Sequence, residues 1–214
     1  MIFDTHSHYD DRAFDEDRER LLLSLEKNGI GNIVCVGADM KSSKAAMELA
    51  HRYDFAYAAV GVHPSDTASL TESDMEWLEH ASHDEKVVAI GEIGLDYHWE
   101  EPEPDIQKKW FRRQIELAKN VNLPIIYHSR EAAKDTMDII LETHAADCGG
   151  VIHCYSYAKE MAKEYVDMGF YIGVGGVITF KNGRRLKETV EAIPLSHIVL
   201  ETDCPYLSPE PNRG

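Results

Sequence analysis

The chain has 214 residues, 43% hydrophobic and 28% charged, which supports one sizeable core and excludes extended disorder. Its 38 acidic against 22 basic residues give a formal charge of −16, which excludes a protein that grips nucleic acid over a broad basic surface. No apolar run approaches the roughly 18 residues of a membrane span, and MIFDTHSHYD lacks the layout of a secretory leader.

A cytoplasmic address is therefore expected, with Cys35, Cys148, Cys154 and Cys204 as reduced thiols. In chain order, IFDTH reads as a strand and 15–28 as a helix with Leu21, Leu22 and Leu25 inward and Gly29 just past its end. NIVCVG, FAYAAVGV, VVAIGEIG, PIIYHS, GVIHCYS, FYIGVGG and HIVLETD follow as strands, separated by helices over 42–53, 72–82, 105–120, 132–144, 158–168 and 184–192. Nearly continuous apolar strands are those covered on both faces, and no linker divides the chain. The expected fold is a TIM-type (β/α)8 barrel forming one domain over 1–214. The doubly wound alternative lacks its glycine fingerprint after the first strand, where His6 and His8 stand instead.

A complete barrel closes with a helix after its eighth strand, whereas this chain stops at PEPNRG soon after Asp203. The closing helix is expected to be missing, which leaves apolar surface on the first and eighth strands for a partner or a second copy to cover. Two basic clusters, Lys108, Lys109, Arg112 and Arg113, and Lys181, Arg184, Arg185 and Lys187, read either as local anion contacts or as solvated helix faces.

The chemistry is concentrated at strand ends. His6, His8, Glu92, His128, His153 and Asp203 each stand at or just past the C-terminal end of an apolar run, and in a parallel barrel such groups converge at one mouth. His6 and His8 emerge on the same side of an extended segment and can grip one ion. Glu92 is costly beside an apolar strand unless paired or coordinated, and its two oxygens suit a bridge between ions; the alternative is a salt bridge. His128 and His153 taken singly read as satisfied core histidines, but their matching positions favour ligands. His63, in GVHP, points toward the mouth, where it either contacts substrate or serves a structural role with Pro64. His51, His80, His83 and His144 fall on helices, and His197 begins its strand at the wrong end.

In order and spacing, DTHSH, GVHP, GEIGLDY, PIIYHSRE, IHCYS and ETDCPYL closely resemble the TatD family of metal-dependent deoxyribonucleases, within the amidohydrolase superfamily. The resemblance covers essentially the whole chain and departs at the C-terminus, where the family continues past PxxRG. It implies two divalent ions, the first held by His6, His8 and Asp203, the second by His128 and His153, with Glu92 bridging. Two cations roughly 3.5–4 Å apart can generate hydroxide from a shared water and clamp an in-line displacement at phosphorus. Glu92 and Asp203 are then the catalytic carboxylates, Asp203 taking or relaying the proton, and the substrate is DNA, expected to be single-stranded and trimmed 3′ to 5′. Arg130 is placed for a phosphate oxygen, with an ion pair to Glu131 as the alternative. Tyr97 and Tyr155 are candidates to stack on a base, with core packing as the alternative. Imidazole-rich ligands suit zinc or manganese, while the resemblance points to magnesium. Two rival readings are a two-metal hydrolase of a carbonyl ester or amide, such as an aminoacyl-tRNA deacylase, and a non-enzymatic metal-binding or scaffold protein.

Overall fold

All eight apolar runs are strands in the structure, a computed structural model that describes residues 1–213. They are β1 (Ile2–Ser7), β2 (Ile30–Val36), β3 (Ala56–Val60), β4 (Val87–Asp96), β5 (Ile125–Arg130), β6 (Gly150–Ile152), β7 (Tyr171–Val174) and β8 (Ile198–Leu200). Each pairs in parallel with the next in one sheet of order β1 to β8. The crossovers carry α1 (Arg18–Ser24), α2 (Met40–Arg52), α3 (Glu72–Ala81), α4 (Pro104–Val121), α5 (Ala133–Glu142), α6 (Lys159–Asp167) and α7 (Arg184–Ala192). No described helix is long and apolar enough to cross a membrane.

Three boundaries differ from the sequence expectation for identifiable reasons. The first helix is shorter because the Arg18 guanidinium donates to the carbonyls of Tyr9, Asp10 and Asp11 at 2.6–3.1 Å, tying the preceding segment into a loop. Its far end tightens into a 3-10 turn over Glu26–Asn28, which Gly29 ends with φ 87°. β4 runs past Glu92 to Asp96 because Gly94, Leu95 and Asp96 keep pairing with His128, Ser129 and Arg130 of β5. Glu92 therefore lies within its strand, not at the end of it.

Alternation along the strands separates two layers. Ile33 and Cys35 of β2 join the large cluster that includes helix residues such as Ala46, Ala50 and Leu78. Val34 and Val36 join only strand residues, Ala59, Ala89 and Ile126, which plug the barrel interior below the mouth.

The ring is nearly closed, with Asp4 as the latch. Its buried carboxylate accepts from Thr202 N at 2.9 Å and Thr202 Oγ1 at 2.6 Å, while the amides of Thr202 and Asp203 reach the His6 carbonyl at 3.3 and 2.9 Å. Burial raises the Asp4 carboxyl to about 6, against the lowering pull of its bonds from Thr202. Among the described residues no helix follows β8. Ile2, Leu195 and Leu200 are exposed there and line a groove of about 450 Å³ between β1, β8 and α7.

Candidate metal centre

β1 delivers the first donors. His6 and His8 leave the strand on one side, with their Nε2 atoms 3.1 Å apart. Asp203 Oδ1 lies 3.7 Å from His6 Nε2 and 3.3 Å from His8 Nε2. Glu92 Oε2 comes to 3.5 Å from His6 Nε2. Ligands around one ion at about 2.0–2.2 Å stand roughly 3–3.5 Å from each other, so these atoms have the spacing of a shared coordination sphere. Asp203 reaches inward from a left-handed backbone, φ 55°, a conformation aspartate tolerates better than most side chains.

The other oxygen of Glu92 faces a second cluster. Oε1 is 2.7 Å from His128 Nδ1, 3.7 Å from His153 Nε2 and 4.0 Å from His63 Nε2. Of four donor groups among the described residues with the spacing to hold a metal, two flank this carboxylate, His6 with His8 and Asp203, and His63 with Glu92 and His128; the other two contain His153. The chemistry of the donor set fits divalent cations. Two Nε2 atoms at 3.1 Å need a proton or a cation between them, and His6 Nδ1 is buried with no hydrogen-bond partner.

Three of the other rings are held from behind, as metal-ligating imidazoles usually are. His8 Nδ1 meets the Val36 carbonyl at 2.8 Å, His128 Nε2 meets Asp96 Oδ2 at 3.0 Å, and His153 Nδ1 meets Glu201 Oε2 at 3.1 Å. Sequence reasoning missed Asp96 and Glu201. Glu201 is buried, its other oxygen accepting from Cys154 N at 2.7 Å, in space left by Gly173, where any Cβ would strike that carboxylate.

The charges reinforce one another. Burial pushes Glu92 up, but the imidazoles of His153, His6 and His128 hold it well below the usual carboxylate range. Burial pulls His153 down, yet Glu201, Glu92 and Asp203 raise it to about 10. His8 and His128 are likewise raised by their carboxylates against burial. His63 goes the other way, lowered to about 4 by burial and by His128.

Gly94 fixes the position of β4 against His128. Its φ is 151°, and a Cβ there would collide with the His128 carbonyl oxygen. Gly94→Ala is expected to cost at least about 2 kcal/mol, as strained backbone and overpacking do, and to weaken metal retention with it. Urea unfolding with and without added metal measures both; an unchanged midpoint would contradict the close approach.

All the expected ligands therefore meet at one mouth, a cavity of about 600 Å³ that His63 and Arg130 also line. Arg130 makes no ion pair among the described residues, and Glu131 bonds to His98 instead. Tyr97 is not brought to the cavity lining: it follows inward-facing Asp96, and its hydroxyl donates to Asp135 at 2.8 Å. Tyr155 is buried, its hydroxyl donating to the Ala158 carbonyl. Of the basic clusters, Lys108, Arg112 and Arg113 are paired with Asp135, Glu142 and Glu72 on helix faces.

A parallel barrel whose C-terminal mouth gathers imidazoles around a buried carboxylate is the architecture of a metal-dependent hydrolase, and the comparisons place this chain among them. It belongs to the TatD family: the family model described as TatD related DNase matches residues 3–214. The chain is 47% identical over its whole length to the metal-dependent hydrolase YabD of Bacillus subtilis, covering 84% of that protein. The crystal structure of YjjV, a TatD homologue from Escherichia coli, superposes with a TM-score of 0.93 at 32% identity, over 100% of this chain and 83% of that one. A TatD family hydrolase from Entamoeba histolytica superposes at 0.87 with 27% identity, over 96% of this chain and 74% of the other.

Proposed function

We propose that this hydrolase cleaves phosphodiester bonds of DNA, trimming single strands from the 3′ end, with two divalent ions held on either side of Glu92. The observation that carries the reading is that carboxylate itself, whose Oε2 and Oε1 face two separate donor clusters. When bound, magnesium, manganese or zinc supplies an acidified water and positive charge at the phosphoryl oxygens.

The protein's own groups do the rest. His6, His8 and Asp203 would hold the first ion and His128 and His153 the second, with Glu92 shared between them; His63, 4.0 Å from Glu92 Oε1 and with Nδ1 accepting from the Ser65 amide, is placed to touch substrate. Asp203 turns Oδ1 toward His8, which leaves Oδ2 to accept the proton of the attacking water. Glu201 and Asp96 fix the His153 and His128 rings so that no reorganisation is needed during the reaction. Arg130 offers a fork of N–H donors to a non-bridging oxygen.

A second reading, hydrolysis of a carbonyl ester such as an aminoacyl-tRNA, is favoured by one observation: Asp10, Asp11, Asp39 and Asp66 also line the mouth, which suits a small or partly cationic substrate. One experiment separates the two. Metal-stripped protein is given single-stranded DNA labelled at either end, with and without Mg²⁺, Mn²⁺ or Zn²⁺, and in parallel an aminoacyl ester. Metal-dependent release of mononucleotides is expected; intact DNA with acyl release would transfer the assignment to the second reading.

A further inference from the structure

The mouth of the barrel is electrostatically and chemically lopsided. Asp10 and Asp11 follow β1, Asp39 follows β2 and Asp66 follows β3, so one arc of the rim is a wall of carboxylates. Beside it in the ring, on the adjoining arc formed by β4 and β5, stand Trp99 and Arg130. Trp99 is 57% exposed, unusual for the largest apolar side chain, and it lines the same cavity as His128, His153 and Asp203. The Arg130 guanidinium lies 5.9 Å from its ring, at cation–π range, and His98 meets the ring edge-on at 4.8 Å. Among the described residues lining the cavity, Arg130 is the only lysine or arginine.

An exposed indole braced by a guanidinium beside a metal centre is a platform for one flat base and one anionic phosphate. The adjoining acidic arc would repel any polyanion that continued across it through the mouth. Resting on the phosphodiester reading above, we infer that Trp99 and Arg130 form a nucleotide-binding lip. It seats one base and one phosphate, and the Asp10, Asp11, Asp39 and Asp66 wall confines cleavage to short oligonucleotides and strand ends. The lip recognises the base by its face and is tolerant of its identity.

A thermodynamic cycle on the metal-loaded enzyme tests this. The substrates are a deoxydinucleotide and its two analogues lacking one base each; the enzymes are wild type, Trp99→Ala and Trp99→Phe. One of the two base deletions is expected to lower wild-type kcat/KM roughly tenfold, the size of a lost base–aromatic stack. That penalty should vanish in Trp99→Ala and largely return in Trp99→Phe, a coupling that a merely structural indole would not produce. Circular single-stranded DNA, which has no end, is expected to stay intact. Equal base penalties in wild type and Trp99→Ala, or a circle cut as readily as the dinucleotide, would overturn the lip. If loaded wild type cleaves no phosphodiester at all, the underlying reading fails and the lip falls with it.

Discussion

Replacing Glu92 with glutamine is expected to lower hydrolytic activity by more than a hundredfold while leaving the barrel folded. The amide is nearly isosteric with the carboxylate, but it keeps one acceptor oxygen and turns an NH2 group toward imidazole nitrogens. In the structure each Glu92 oxygen serves a different cluster, His6 Nε2 on one side and His128 Nδ1 with His153 Nε2 on the other. Glutamine can satisfy one side only, and it carries no charge to offset a bound cation. Loss of a group that merely supports a ligand already costs about 10- to 100-fold in metal affinity or activity, so loss of the bridge should exceed that. Metal analysis should find less ion per chain than in wild type. Activity within a fewfold of wild type, with full metal content, would remove Glu92 from the centre.

Metal affinity is expected to climb steeply with pH. In the metal-free protein the carboxylates Glu92 and Asp203 are held ionised, while His153, raised to about 10, and the raised His8 and His128 retain protons. His6 is lowered and stands ready as a neutral metal donor, while neutral His63, whose Nδ1 accepts from the Ser65 amide, keeps its proton on Nε2. A cation must displace the protons that the other rings hold, and each proton released makes the affinity rise about tenfold per pH unit.

The sign for folding runs with it. His153, raised above its ordinary value, stabilises the metal-free fold fully below about pH 6.5, and that contribution is lost as pH rises through about 10. Glu92 and Asp203, lowered, contribute above the ordinary carboxylate range and lose that contribution as pH falls through their depressed values. Chelator competition between pH 6 and 8 should therefore show at least a tenfold gain in affinity per unit. A flat profile would mean that the rings are neutral before metal arrives.

The ligands were legible in the sequence because strands buried on both faces are written as apolar runs, and a histidine or carboxylate closing such a run has little else to do. Glu201 was overlooked beside Asp203 although it directly follows Val199 and Leu200, because its partner His153 lies on another strand and nothing local pairs them. Asp96 hid in the same way behind His128. Strand alternation decides between the two readings of Tyr97: Asp96 and Tyr97 are neighbours and face opposite ways, which sends the phenol toward Asp135 and away from the cavity. The same alternation places His128 and Arg130 on one side, with Ser129 turned to Thr136 behind them. Trp99 carried no sequence signal, since a tryptophan in a polar loop reads the same whether it packs down or stands at a mouth.

The latch between Asp4 and Thr202 joins residues 198 positions apart, and the first donor cluster straddles it, with His6 and His8 on one side and Asp203 on the other. In a chain emerging from the ribosome, these two imidazoles come well before Asp203, and they wait for the strands in between to be made and wound into the ring. Contacts of such separation are among the last to form, because loop closure has to precede them. A half-made barrel would hold the histidines but not the pocket, so tight metal capture would report that the ring has shut.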